Sequence, residues 1–212
     1  MTERGLAILL AFGSGFVVLA VELVGARILG PTFGISVVPW TAVISVVLAG
    51  LALGNWVGGR LADGVGAGGR PLLHWIFLAG AGAVVFPLLG ESLTSPLFRS
   101  LGTVGGVLIS SLLLFGPAAV LLGCVVPYLI RRVTRSLEEV GTRTGDMGGA
   151  ASAGSIAGTL TTGFVLIPTL PVDGILIMSA GALVVLAGVA RWLEGRLRAR
   201  SRSERGTAPT LG

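Results

Sequence analysis

Residues Leu6 to Leu29 read LAILLAFGSGFVVLAVELVGARIL, an apolar run broken only by Ser14, Glu22 and Arg27. A helix needs about 20 such residues to cross the hydrocarbon core of a bilayer. Similar runs recur near residues 37–58, 71–89, 102–130, 147–167 and 174–192. In lipid every backbone amide must be bonded within its own segment, so spanning elements are helices or closed barrels. Barrel strands alternate apolar and polar residues. These runs do not alternate. The expectation is an all-α membrane protein with six transmembrane helices over residues 1–193. Residues 194–212 then read as a basic, disordered tail.

Composition agrees. Of 212 residues, 53% are hydrophobic and only 12% charged, against roughly 25% charged in a soluble domain. Mean hydropathy is +0.93. The 35 glycines would weaken soluble helices, but in lipid they let helices approach closely. The single cysteine, Cys124, excludes a disulfide framework within one chain. The net charge of +5 does not point to nucleic acid, because the basic residues flank apolar runs instead of forming one patch.

All basic residues are arginines. With six spans, Arg4, Arg60, Arg70, Arg131, Arg132, Arg135, Arg143 and the tail fall on one side. Arg27, Arg99, Glu91 and Asp173 fall on the other. The positive-inside rule places both termini in the cytoplasm and the protein in the cell membrane. Three segments read as connections: Gly30–Gly34, the tight polar loop Gly59–Arg70, and Arg131–Asp146, the longest internal loop. Glu91–Leu101 reads as a short interfacial helix, with the fourth span starting at Gly102.

Glu22 is the residue most in need of explanation. An ionisable group inside a span costs roughly 2.5–3.5 kcal/mol on insertion scales. Either it holds a cation or a proton in a cavity, or it pairs with a partner on another helix or caps backbone near Gly30–Gly34. Ser14 shares its helix face by spacing. Arg27 and Asn55 complete the candidate substrate-binding set, with Arg27 alternatively reaching the headgroups. Asp173 fits a helix N-terminus, within possible reach of Arg27. His74, the only histidine, sits beside Trp75 at a span end, and the interface is its simplest place. No nucleophile triad or metal-ligand cluster is visible, so neither enzyme chemistry, cofactor nor metal is expected.

The run Gly145-x3-Gly149-x3-Ala153-x3-Ala157 places small residues on one helix face, and Gly154-x3-Gly158 on an adjacent one. Such faces let helices touch backbone to backbone, inside the bundle or across a dimer.

Gly59-x3-Asp63, followed by glycines and Arg70, resembles the cytoplasmic loop signature of the major facilitator superfamily, with Gly64 where a basic residue is usual. The resemblance implies a six-helix half of such a carrier, with Gly59, Arg60, Asp63 and Arg70 as a structural or gating loop. Glu22–Pro31 with Phe33, Gly34 and Trp40, Leu122–Tyr128, and Gly154–Pro168 look like the membrane unit of integral-membrane spermidine-synthase-like proteins. That family often fuses this unit to a soluble aminopropyltransferase-like domain. No stretch here is long enough to build one, so that activity does not carry over. Together these resemblances imply a half-size carrier in the lipid bilayer. It would work as a homodimer, or with a related six-span protein, on polyamines or other organic cations. The competing expectation is a non-transporting anchor or accessory subunit for a separate soluble synthase-like protein.

Overall fold

The computed structural model describes residues 2–65, 71–134 and 136–206, and these are helical almost throughout. The elements are α1 (Glu3–Phe33), α2 (Val37–Val65), α3 (Leu73–Val85), α4 (Gly90–Gly123), α5 (Val125–Val133), α6 (Val140–Thr161), α7 (Ile167–Thr169) and α8 (Val172–Gly206). A 3-10 turn at Phe86–Leu89 follows α3, another at Leu137–Glu139 precedes α6, and a π turn at Thr162–Leu166 joins α6 to α7. Five helices among the described residues are long and apolar enough to cross a membrane. Leu73–Leu89 forms a shorter apolar helix.

The connections are shorter than the sequence suggests. α1 runs through Pro31 to Phe33, and Gly34 ends it at φ 82, its N–H bonded to the Gly30 carbonyl at 2.8 Å. Proline forfeits only one backbone bond so near a helix end. Gly59–Val65 is the last part of α2, not loop. The expected loop Arg131–Asp146 is mostly helix, because α5 reaches Val133 and α6 starts at Val140. α8 continues through Glu194 to Gly206, beyond the expected start of the tail. In each case a few polar residues sit on a helix that local backbone bonding extends for another turn or more.

Two breaks have clear causes. Gly102 lies at φ 69, ψ −171, between a first helical stretch from Gly90 and the apolar remainder of α4. Only glycine adopts that conformation readily. The step from α4 to α5 at Cys124 comes three residues before Pro127, which cannot donate to the Gly123 carbonyl.

The helices pack in three main pairs: α1 with α6, α2 with α4, and α3 with α8. The first two are glycine-built. Gly54 and Gly58 press on Val120, Gly123 and Cys124 so closely that a Cβ would overlap backbone. Gly154 and Gly158 do the same against the carbonyls of Phe12 and Phe16, and Gly15 against that of Ala151. These contacts also set direction. Rising numbers on α1 meet rising numbers on α6, and the same holds for α2 and α4, so each pair is parallel. α3 and α8 are antiparallel, since Gly80 faces Leu183 while His74 meets Glu194.

Counting α4 with α5 as one unit, the pairing maps onto itself when the first three apolar helices are exchanged for the last three. The α1–α6 pair becomes α4–α2, α1–α8 becomes α4–α3, and α3–α8 is unchanged. Carriers built from inverted repeats carry this kind of internal symmetry.

Candidate functional site

Glu22 lies on α1, about 16 Å from the Phe33 end at 1.5 Å per residue. It is half-buried, with no hydrogen bond or ion pair among the described residues. It does not cap Gly30–Gly34. Its position follows from neighbours on the same face. Gly15, two turns earlier, packs on Ala151 and Ser155 of α6. Gly25, one turn later, packs on Val43 of α2 and Phe115 of α4. Glu22 therefore sits between the α6 flank and the α2–α4 flank, and α2 and α6 themselves share no substantial contact.

Thr162 is a residue that sequence reasoning missed. It is buried, and its hydroxyl has no partner among the described residues. Gly158 lies against Phe16 and Gly163 against Leu23, which brings Thr162 to the level of Glu22. It also opens the π turn, where one residue too many is fitted into the helix. Such widened turns are frequent at functional sites. Nothing in the sequence marks it, because threonine in an apolar run usually bonds back to its own helix.

The other proposed binding residues are scattered. Ser14 is buried, and its hydroxyl donates to the Ala11 carbonyl at 2.8 Å. Asn55 is exposed on the outer side of α2. Arg27 is exposed near the far end of α1, lining a recess that Asp173 also lines. No Arg27–Asp173 ion pair forms.

At the opposite end, Gly59 and Asp63 line a cavity of about 530 Å³ with Arg131 and Thr134. Arg131 Nε donates to Asp63 Oδ1 at 3.1 Å, with both side chains largely exposed. Arg60 turns away and stacks over the Trp56 ring at 3.6 Å. Arg70 lies outside the described residues. Arg4 pairs with Asp146 at 2.9 Å, tying the start of α1 to α6.

No protein-family model, curated protein or solved structure matches the chain.

A second polar centre lies between α3, α5 and α8. Glu194 is buried, and it accepts from the Leu73 amide at 3.0 Å and the Tyr128 hydroxyl at 3.4 Å. Its other oxygen lies 3.0 Å from His74 Nδ1. Arg132 in turn donates to the Tyr128 oxygen from Nε and Nη2 at 3.2 and 3.0 Å. The sequence placed Glu194 in the tail and His74 at the interface. Both are instead buried parts of one network. A glutamate at the polar end of an apolar run gives no signal that separates a buried partner from a solvated one.

The two small-residue faces of α6 have different fates. Gly154 and Gly158 are buried on α1. Gly145, Gly149 and Ala153 are exposed, and a Cβ at Gly145 or Gly149 would meet nothing within 4 Å. Ala157 is half-buried between the two.

Proposed function

We propose that the chain is one half of a carrier for organic cations, polyamines among them, and works as a twofold dimer of six-span bundles of the major facilitator type. Leu73–Leu89 is the third of the six spans, and both termini lie in the cytoplasm. The observation that carries this reading is Glu22, a half-buried carboxylate well inside a span, without a partner among the described residues, between α2 and α6, which share no substantial contact. Such a group suits a cation that spends part of its time there.

The helix directions support the span count, since parallel α1–α6 and α2–α4 pairs with an antiparallel α3–α8 pair follow from strict alternation of crossings. The symmetric pairing supports a carrier-type repeat. The dimer follows from the two flanks. A twofold axis in front of Glu22 sets α2 of one bundle against α6 of the other on both sides, an isologous interface. The exposed faces there carry small residues, Ser45, Ala49 and Ala52 on α2 and Gly145, Gly149 and Ala153 on α6, beside the larger Trp56 and Ile156. Two Glu22 carboxylates then face one site, where a di- or polycation relieves their mutual repulsion.

Cysteine cross-linking in membranes tests the arrangement, in a Cys124→Ser background. Ala52→Cys combined with Ala153→Cys, which the α1 contacts place at nearly the same depth, is expected to give a covalent dimer on oxidation, and neither change alone should do so. A dimer from Ala153→Cys alone would set α6 against α6. That result, or no dimer from the pair, defeats the proposed geometry.

A further inference from the structure

At the end of the bundle away from Arg4 and Asp63, two recesses meet at Arg27. The first, of about 830 Å³, is lined by Arg27, Ser92, Ser95 and Asp173 with apolar residues around them. The second, of about 690 Å³, is lined by Ile35, Pro39 and Trp40. Arg27, Pro31 and Val172 belong to both, so the two form one groove with a polar half and an apolar half.

Among the described lining residues the charge in the polar half is one arginine to one aspartate, and it is unpaired. Arg27 and Asp173 have no ion-pair or hydrogen-bond partner among the described residues, and they line the same recess without closing on each other. Asp173 stands in the first turn of α8, at the positive end of the helix dipole. The Ser92 hydroxyl donates to the Leu89 carbonyl at 2.8 Å, which leaves its oxygen free to accept. The walls are held in place. Gly90 approaches Ile28 closely, and the Thr32 and Thr94 hydroxyls bond at 2.9 Å, fixing the start of α4 to the end of α1.

We propose that this groove binds a zwitterionic phospholipid with a primary amine, of the phosphatidylethanolamine class, with phosphate on Arg27 and ammonium on Asp173. Arginine matches phosphate oxygens in a two-pronged geometry. A primary ammonium donates to both Asp173 and the Ser92 oxygen. An anionic glycerol headgroup would leave Asp173 unsatisfied and repelled. The adjoining apolar half, with Trp40 at its wall, takes the glycerol and upper acyl chain, which favours the lipid over a free headgroup. The site is independent of any transport activity and of the oligomeric state.

Native mass spectrometry of the purified protein in detergent tests it, with equal concentrations of phosphatidylethanolamine and phosphatidylglycerol. Phosphatidylethanolamine is expected to be retained about tenfold better, the ratio one charge-assisted contact supports. Asp173→Asn should erase that preference. Arg27→Gln should weaken both lipids, and Trp40→Ala should weaken both while keeping the preference. Glycerophosphoethanolamine, the free headgroup, should not displace the lipid at the same concentration. Equal retention of the two lipids by the wild type, a preference that survives in Asp173→Asn, or displacement by the free headgroup would each overturn the proposal. Should a variant fail to fold, the wild-type comparison and the headgroup competition decide alone.

Discussion

His74 Nδ1 and Glu194 Oε2 lie 3.0 Å apart with both side chains buried, joining the first turn of α3 to α8 more than a hundred residues later. α3 belongs to the shorter apolar helix, Leu73–Leu89. Glu194 also accepts the Leu73 amide, one of the unbonded donors at the start of α3.

Glu194→Ala should therefore destabilise the bundle strongly. It strands His74, the Leu73 amide and the Tyr128 hydroxyl in a buried place, a cost of roughly 3 kcal/mol. Glu194→Gln keeps one acceptor oxygen and should cost about half as much. Thermal melting in mild detergent gives the ranking. A Glu194→Ala protein that melts with the wild type would show the network to be incidental.

The glycines of α6 should divide by face. Gly154→Ala places a Cβ into the Phe12 carbonyl and forces α1 and α6 apart. A loss of about 2 kcal/mol or more is expected, as for other overpacked sites. Gly149→Ala meets open space, so the monomer should melt unchanged or slightly higher, because alanine is the better helix former. Its effect should appear instead in the dimer fraction, read by single-molecule photobleaching in bilayers.

Gly102→Ala should cost about 1–3 kcal/mol, because the backbone at φ 69, ψ −171 is open to glycine almost alone. The space around it is empty, so strain is the only cause. Melting of Gly102→Ala beside Gly105→Ala, a helical glycine close by, separates strain from helix propensity.

The apolar runs were easy to read because burial in lipid demands length and leaves little choice of structure. The end of each helix was harder. Gly59–Val65, Val140–Asp146 and Glu194–Gly206 are polar by composition yet helical, since a helix leaving the bilayer continues as long as its own backbone bonds suffice. Of the small-residue faces, the sequence showed that α6 has two, but not which one α1 occupies. The Gly50-x3-Gly54-x3-Gly58 spacing on α2 carries the same signal, and it sets the close approach to α4. Glu22 stood out because a carboxylate in a long apolar run is rare. Thr162 did not, because a threonine in an apolar run looks ordinary in sequence, and only the fold shows its buried hydroxyl without a partner among the described residues.

The central claim is that Glu22 holds a cation in transit. Uptake of radiolabelled spermidine and putrescine into proteoliposomes tests it most directly, comparing wild type with Glu22→Gln and Glu22→Asp. The account predicts saturable uptake by the wild type, a loss of at least about tenfold in Glu22→Gln, as expected when one charged contact to a cation is removed, and partial activity in Glu22→Asp. Equal uptake by wild type and Glu22→Gln, or no uptake by either, would contradict it.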